Sequence, residues 1–231
     1  MKIKQGMILA AGLGKRMQPI TLKTPKALIQ IGNKNLIDRA IELLINHGVD
    51  EIAINVHYLA DQIKDFINKK KYKAKIIIFH EQDKLLDTGG GIFNATKSFQ
   101  EPFVVINPDT LWSNAYLNEL KNLEDLYFQN KKASLLLVNK NLSFDKSFEG
   151  DFNLEDGMVS RDNSNKLIFT GLQILDHSVF SLIKNKIFSM NDIWNNLIKN
   201  NFLIGIESNQ KFYHLNTKEM YDKILSLNIT D

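Results

Sequence analysis

The sequence predicts an α/β fold with three layers, α/β/α, around a mainly parallel mixed sheet. Short apolar runs alternate with segments whose apolar residues recur at helical spacing, up to about residue 140. Strands that alternate with helices pair in parallel and are covered by helices on both faces. A chain of 231 residues that is 44% apolar is also long enough to bury a substantial core.

The elements of the first part of the chain follow from this alternation. The run Met7–Ala10 is the first strand, and a helix over 36–45 ends at Gly48. The remaining elements in this part are the strand Glu51–Val56, the helix Ala60–Ile67, the strands Lys75–Phe79 and Phe103–Ile106, the helix Tyr116–Leu126 and the strand Ser134–Val138.

The pattern weakens after Asn141. Residues 143–162 are polar, contain glycine and are irregular, and we expect strands and loops here that fold over the rim of the sheet. Short strands are predicted at Lys166–Thr170, Leu172–Leu175, Phe202–Ile206 and Lys211–Leu215, and helices at Ser178–Ile183, Ile193–Lys199 and Lys218–Leu227, the last with Thr217 as N-cap. Without repeats or linkers, we expect one domain over 1–231.

Composition excludes several classes of protein. There is no cysteine, which excludes disulfides and thiolate zinc sites. The net charge is only +3 with lysines beside acids, so we expect no nucleic-acid surface, and Lys69–Lys71 is a solvated loop. The sequence contains no signal-peptide pattern and no apolar run of membrane-spanning length, which favours a cytoplasmic protein with no membrane contact.

The segment after the first strand carries the main functional signal. Gly12 and Gly14 let the backbone pass close to a ligand, so that consecutive N–H groups can point at a polyphosphate. Arg16 and Lys26 add a guanidinium and an ammonium, the two cations that bind phosphates. The segment therefore indicates a phosphate-binding loop, with a purely structural turn as the alternative.

A dinucleotide site fits this loop less well. The dinucleotide fingerprint requires a third glycine where this chain has Met17, and an acidic residue at the end of the second strand. That strand, Ile52–Val56, is followed by His57, and the chain has no Walker motif.

Polar residues directly follow several predicted strands. They are the glycine loop, Asn55-Val56-His57, His80-Glu81 and Asp109. Ligands bind beyond the carboxyl ends of strands in such sheets, so these residues should converge on one rim. His57 and His80 have no evident carboxylate partner, and we interpret both as structural.

Residues Leu9 to Leu28 resemble the signature of the sugar-nucleotidyltransferase superfamily. The matching residues are Leu9, Ala10, Ala11, Gly12, Gly14, Arg16, Met17, Pro19, Thr21, Pro25, Lys26 and Leu28. Within the superfamily, Leu86–Phe93 looks like the corresponding segment of N-acetylmuramate-1-phosphate uridylyltransferases. The resemblance continues through Asn107-Pro108-Asp109, Gly150-Asp151-Phe152, Phe169-Thr170-Gly171 and His214-Leu215-Asn216-Thr217, and so covers essentially the whole chain.

This resemblance implies a Rossmann-like fold and an enzyme that joins a nucleoside triphosphate to a sugar 1-phosphate. UTP and N-acetylmuramate 1-phosphate are favoured, which implies a role in peptidoglycan recycling. Mannose-1-phosphate guanylyltransferase and glucose-1-phosphate thymidylyltransferase remain alternatives, as does a catalytically weak regulatory domain that binds nucleotides. The implied cofactor is Mg²⁺, with Mn²⁺ as an alternative. A monomer is favoured, although the sequence does not determine the oligomeric state.

The resemblance also implies the site residues. Residues 1 to about 140 would form the nucleotide-binding half, and about 141–231 the half for sugar phosphate and metal. The expected catalytic residues are Arg16, Lys26 and Asp109. The expected nucleotide-binding residues are Leu9, Ala10, Ala11, Gly12, Gly14, Lys15, Arg16, Lys26, Glu81, Asp87, Gly89, Gly90 and Asn107. Asp151, Gly171 and Asn191 are expected to bind the sugar phosphate, and Asp109 and His214 the metal.

Three of these assignments have alternatives. Asp109 is the best candidate for a Mg²⁺ ligand, but it could instead cap a turn. His214 stands where the family has its second metal-binding aspartate. It could act in the outer shell through water, select a softer ion such as manganese, mark the loss of a ligand, or be an uninvolved surface residue. The glycines 89–91 could lie flat against a nucleobase, or could simply begin a helix.

Overall fold

The computed structural model describes residues 2–181 and 183–227, and its main feature is a sheet of nine strands. In chain order these nine strands are β1 (Gln5–Ala10), β4 (Glu51–Val56), β5 (Lys75–His80), β6 (Phe103–Ile106), β7 (Ala133–Asn139), β8 (Asn153–Glu155), β9 (Met158–Ser160), β10 (Leu167–Leu175) and β11 (Leu203–Ser208). Their spatial order is β5-β4-β1-β6-β10-β7-β11-β9-β8. Two further short strands, β2 (Gln30–Ile31) and β3 (Lys34–Asn35), form a separate two-stranded sheet.

Within residues 2–181 and 183–227, six α-helices accompany the strands. They are α1 (Leu36–His47), α2 (Ala60–Lys69), α3 (Asp87–Ala95), α4 (Leu117–Asn130), α5 (Met190–Lys199) and α6 (Lys218–Leu225). The part of the chain described by the structure contains no helix long and apolar enough to cross a membrane.

Alternation along the buried strands produces the three layers. Val104 and Ile106 of β6 pack in one core with α1, α2 and α4, whereas Phe103 and Val105 pack in a second core with α3 and α5. Successive strand residues point to opposite faces, so an all-apolar strand faces a core on each side. The expected three-layer α/β/α fold with a mainly parallel mixed sheet is confirmed.

The elements predicted for the first part of the chain all form, with ends that differ by a few residues. The pairing is not parallel throughout, because β10 lies antiparallel between β6 and β7. The predicted strands Lys166–Thr170 and Leu172–Leu175 are in fact one strand, β10. Its pairing with β7 shifts register between Phe169 and Gln173, because Gly171 adopts a left-handed conformation with φ +93°.

Two predictions for the later part of the chain are wrong. The helix predicted over Ser178–Ile183 is a single 3₁₀ turn, His177–Phe180, and position 182 lies outside the described residues. The strand predicted over Lys211–Leu215 forms only isolated bridges, Ser143↔Phe212 and Thr110↔His214. By contrast, α6 begins after Thr217 as predicted, and the Thr217 hydroxyl accepts a hydrogen bond from Met220 N at 3.2 Å. The predicted end of this helix, 226–227, lies beyond α6.

Candidate functional site

A cavity of about 670 Å³ lies at the carboxyl ends of β1, β4, β5 and β6. The structure thereby brings together the predicted nucleotide-binding residues Leu9, Ala10, Ala11, Gly12, Gly14, Lys15, Arg16, Lys26, Glu81, Asp87 and Asn107, and the predicted metal ligand Asp109. Asn55, which the sequence placed at this rim, lines the cavity as well. Residues that the sequence did not single out for the site also line it: Ala27, Leu36, Leu85, Thr88, Pro108, Ile187 and Asn216.

The glycine loop is held in place from both ends. At its start, Ala10 N donates to Asn55 Oδ1 at 2.9 Å. Gly14 takes φ +60°, and its carbonyl accepts hydrogen bonds from Met17 N and Thr21 Oγ1, both at 2.8 Å. A Cβ at Gly14 would lie 2.9 Å from the Thr21 side chain, whereas one at Gly12 would meet nothing within 4 Å. Gly12 therefore borders open space in the cavity, while Gly14 is required by the turn itself.

Two buried side chains connect this loop to the next strands. Asn55 Nδ2 donates to Glu81 Oε1 at 2.7 Å, and Glu81 Oε2 accepts from Leu86 N at 2.9 Å. Both carboxylate oxygens of Glu81 are thus occupied by protein donors. The predicted contact of Glu81 with the nucleotide would have to compete with these donors, and Glu81 instead joins the loop to the start of α3.

The three glycines lie inside α3, which agrees with the helix alternative. A Cβ at Gly89 would lie 2.4 Å from the Phe188 ring, and one at Gly90 would lie 2.4 Å from the Lys186 carbonyl oxygen. Gly90 N donates to Phe188 O at 3.0 Å. Residues 186–188 thus supply a hydrogen-bond acceptor for an N–H group of the first turn of α3, where backbone donors lack partners within the helix. Gly89 and Gly90, predicted to bind nucleotide, do not line the cavity; they allow residues 186–188 to pack closely on α3.

Asp109 lies at the floor of the cavity between Lys26 and His214. Its Oδ2 accepts from Lys26 Nζ at 2.6 Å and lies 3.1 Å from His214 Nε2. Burial by itself raises the pKa of the Asp109 carboxyl, but the charges and hydrogen bonds of Lys26 and His214 outweigh burial and hold that pKa well below its usual range. The carboxylate is therefore ionised at neutral pH. Its Oδ1 has no hydrogen-bond partner, so the side chain does not cap a turn.

A divalent cation fits the oxygens left free on this floor. Asp109 Oδ1 and Asn216 Oδ1 are both buried and unpartnered, and Mg²⁺ prefers oxygen ligands. Asn216 was missed from the sequence because its neighbour His214 occupied the expected ligand position. No cluster of three or more His, Cys, Asp or Glu that could hold a metal occurs within residues 2–181 and 183–227, so any cation there depends on an amide, water or substrate oxygen for further ligands.

The residues predicted to bind a sugar phosphate do not line the cavity. Arg161 joins two of them: its Nε donates to Asp151 O at 3.1 Å and its Nη2 to Asn191 Oδ1 at 2.8 Å. Its guanidinium also lies 4.1 Å above the Phe152 ring. The third, Gly171, is adjacent to the site, because its carbonyl accepts from Asn107 N at 2.8 Å.

Arg161 was overlooked as part of this cluster, although one signal pointed to it. The chain has only three arginines, which marks a position where a planar guanidinium is needed.

The predicted structural role of two histidines agrees with their positions. His57 Nδ1 donates to Glu81 O at 2.5 Å, His80 Nδ1 accepts from Lys64 Nζ at 3.4 Å, and neither lines the cavity.

Comparison with known proteins assigns the family. Residues 5–143 match the family model described as nucleotidyl transferase, which is more than half of the chain. The chain belongs to the nucleotidyl transferase family. The prediction of a sugar-1-phosphate nucleotidyltransferase is thereby confirmed at the level of the family.

Individual relatives span nearly the whole chain. The chain is 29% identical to the N-acetylmuramate alpha-1-phosphate uridylyltransferase of Caulobacter vibrioides, over 92% of this chain and 91% of that protein. It is 26% identical to the choline-phosphate cytidylyltransferase of Streptococcus pneumoniae, over 95% and 96% of the two chains. A UDP-glucose pyrophosphorylase solved with UDP-glucose shares the fold, with a TM-score of 0.80 and 23% identity over 97% of this chain and 98% of that chain.

Proposed function

We propose that this nucleotidyltransferase joins UTP to N-acetylmuramate 1-phosphate and releases pyrophosphate, with Mg²⁺ as its cofactor. The observation that carries the proposal is the placement of Lys26 Nζ and Asp109 Oδ2, 2.6 Å apart at the floor of a cavity that opens on the glycine loop. The resemblance to the Caulobacter vibrioides uridylyltransferase over almost the full length supports the choice of base and sugar. The product would serve peptidoglycan recycling in the cytoplasm.

The reaction needs alignment and charge neutralisation more than acid–base chemistry. A phosphate oxygen of the sugar 1-phosphate forms a bond to the α-phosphorus of UTP, and the bond from that phosphorus to the oxygen bridging to the β-phosphate breaks. The bridging oxygen and its electron pair leave with pyrophosphate. The attacking oxygen is already anionic, so no residue has to remove a proton from it.

The residues of the site can perform these tasks. The loop at Gly12 can lie against the triphosphate, while the Arg16 guanidinium at the exposed rim and the Lys26 ammonium offset its negative charge. Asp109 would hold the Mg²⁺, which when bound supplies positive charge to the reacting phosphates. Residues 1 to about 140 would bind the nucleotide. The later part would supply the sugar-phosphate residues Asp151, Gly171 and Asn191.

Lys26→Met and Arg16→Ala test the assignment of the phosphate-binding cations. Each variant should lower turnover by roughly 10²–10³, the usual effect of losing one well-placed donor. The melting temperature of Arg16→Ala should stay near that of the wild type, whereas Lys26→Met should also lower it, because Asp109 loses its partner at 2.6 Å. Lys23→Ala removes a nearby exposed lysine that does not line the cavity, and it should keep full activity. Near-wild-type turnover of Lys26→Met and Arg16→Ala at saturating substrates would refute the assignment.

The substrates are tested by pyrophosphate release with a panel of nucleotides and sugar 1-phosphates. UTP with N-acetylmuramate 1-phosphate should give the highest kcat/KM. Faster reaction of GTP with mannose 1-phosphate, or of dTTP with glucose 1-phosphate, would replace this substrate pair within the same family. A regulatory domain is the second candidate, favoured by the His214 imidazole beside Asp109. Nucleotide-dependent thermal stabilisation without turnover on any acceptor would establish that candidate.

A further inference from the structure

One exposed aliphatic side chain lies in the wall of the cavity. Ile187 is 48% exposed, and among the five exposed large hydrophobic side chains within residues 2–181 and 183–227 it is the one that lines the cavity. Apolar side chains in a binding cavity contact the apolar parts of its ligand. Phosphates need charged and N–H partners, so an aliphatic group here suits another part of a substrate.

The segment that carries Ile187 is fixed to the start of α3. Phe188 N donates to Leu86 O at 3.3 Å, and Phe188 O accepts from Gly90 N at 3.0 Å. A side chain at position 89 or 90 would overlap residues 186–188, so α3 has glycines where alanine would favour the helix more. Ile187 is therefore held at a defined place in the wall of the cavity.

Leu85 provides a second aliphatic group in the same wall. It is half-buried and lines the cavity. Because Leu86 is hydrogen-bonded to Phe188, the residues that precede them, Leu85 and Ile187, lie on adjoining segments. Neither side chain can form a hydrogen bond, so a ligand hydroxyl placed against them would lose its hydrogen bonds to water. This part of the wall therefore favours an alkyl group.

The position of Ile187 indicates contact with the acceptor sugar. The glycine loop and Lys26, which are proposed to hold the triphosphate, belong to the first half of the chain. Within residues 141–181 and 183–227, only Ile187 and Asn216 line the cavity, and Asn216 lies at its floor. The helix α5 begins three residues after Ile187 and carries Asn191, whose Oδ1 accepts from Arg161 Nη2 at 2.8 Å. Ile187 thus connects the cavity with the cluster proposed to bind the sugar phosphate.

We propose that Ile187 and Leu85 are specificity-determining residues that contact an alkyl substituent of the acceptor sugar. The preferred acceptors are sugar 1-phosphates with an N-acyl or O-alkyl group, ahead of those that carry only hydroxyl groups. N-acetylmuramate 1-phosphate has both substituents, an acetamido group and a lactyl ether, whereas glucose 1-phosphate has neither. The inference rests on the proposed function, because it assumes transfer to a sugar 1-phosphate.

The test compares kcat/KM for three acceptors in the presence of UTP: N-acetylmuramate 1-phosphate, N-acetylglucosamine 1-phosphate and glucose 1-phosphate. Ile187→Ala should lower the preference for N-acetylmuramate 1-phosphate over glucose 1-phosphate about 10-fold. This is the lower end of the effect of a lost methylene contact, because Ile187 is half-exposed. The KM for UTP should stay within about twofold of the wild type, since the change removes a contact with the acceptor only.

N-acetylglucosamine 1-phosphate identifies the substituent that is contacted. If its preference over glucose 1-phosphate falls equally in Ile187→Ala, the side chain contacts the acetyl group. If the loss is confined to N-acetylmuramate 1-phosphate, it contacts the lactyl group.

Two further variants serve as controls. Ile187→Val keeps most of the aliphatic surface and should hold the acceptor preference within about threefold of the wild type. Phe202→Ala removes another exposed large side chain, one that does not line the cavity, and should leave the preference unchanged. The melting temperature of Ile187→Ala should stay near that of the wild type, because substitutions at exposed positions have small effects on stability.

The other outcomes overturn defined claims. An unchanged acceptor preference in Ile187→Ala refutes the inference and leaves the proposed function intact. A higher KM for UTP with the same acceptor preference also refutes it, because Ile187 would then contact the nucleotide. A wild-type enzyme that prefers glucose 1-phosphate overturns both the inference and the proposed acceptor. If the wild type transfers to none of the three sugars, the proposed function itself is wrong.

Discussion

Gly90→Ala tests how the structure uses the three consecutive glycines. Helix propensity alone predicts that alanine stabilises α3 at this position, by about 1 kcal/mol. The structure predicts the opposite, because a Cβ at Gly90 would lie 2.4 Å from the Lys186 carbonyl oxygen and 3.2 Å from Leu86 Cβ. The closer atom belongs to the backbone, which cannot rotate away as a side chain can.

The size of the effect follows from these two opposing contributions. Forcing an extra methyl group into a packed contact typically costs about 1–3 kcal/mol. After the gain in helix propensity of about 1 kcal/mol is subtracted, the free energy of unfolding should fall by up to about 2 kcal/mol. The contact at 2.4 Å is severe, so we expect the upper half of this range, about 1–2 kcal/mol. For a chain of this size, that lowers the melting temperature by roughly 2–8 °C.

Thermal unfolding of the wild type, Gly90→Ala and Gly12→Ala provides the assay. A Cβ at Gly12 would meet nothing within 4 Å, so Gly12→Ala should change the free energy of unfolding by less than about 0.5 kcal/mol. Because Gly12 borders the cavity, that variant should instead bind UTP more weakly. A melting temperature of Gly90→Ala equal to or above that of the wild type would refute the packing argument.

Three further predictions concern other contacts of the site. Asn55→Ala leaves Ala10 N and Glu81 Oε1 without their partner, and should lower the free energy of unfolding by about 2–4 kcal/mol in urea denaturation; a loss below about 1 kcal/mol would show that water replaces the amide. Arg161→Lys loses the planar guanidinium that stacks on the Phe152 ring and donates to Asn191 and Asn195. The free energy of unfolding in urea should fall by about 1–2 kcal/mol. An unchanged free energy of unfolding would show that solvent replaces these contacts. Chelation with EDTA should abolish pyrophosphate release and leave the melting temperature of the nucleotide-free protein unchanged, because Lys26 already pairs with Asp109; a lower melting temperature would indicate a structural metal instead.

Local patterns were sufficient to predict the sheet and the rim of the cavity. Buried strands such as Phe103–Ile106 are apolar on both faces, and a helix such as α1 repeats its apolar residues along one side, so both can be recognised without the rest of the chain. The carboxyl ends of parallel strands meet at one edge, which is why Asn55, Glu81 and Asp109 were expected together and do lie around one cavity.

Local sequence patterns could not predict contacts between segments that lie far apart in the chain. The glycines of α3 are explained by residues 186–188, about one hundred positions away, and no local signal reveals that approach. Residues 211–215 look like a strand because they include Phe212, Tyr213 and Leu215, but only isolated bridges form there. The hydrogen-bond partners of side chains could not be predicted either. The sequence does not show that the two carboxylate oxygens of Glu81 accept hydrogen bonds from Asn55 and Leu86.

The sequence by itself determined the α/β architecture, the phosphate-binding loop and the family resemblance, because each depends on residues close together in the chain. Only the tertiary structure decided which atoms at the cavity floor are free. Lys26, Asp109 and Asn216 are separated by scores of residues, and the hydrogen bonds to Lys26, His214 and Asp145 leave one carboxylate oxygen and one amide oxygen unpaired. Hydrogen-bond pairing depends on distance and direction in three dimensions, which sequence spacing does not encode.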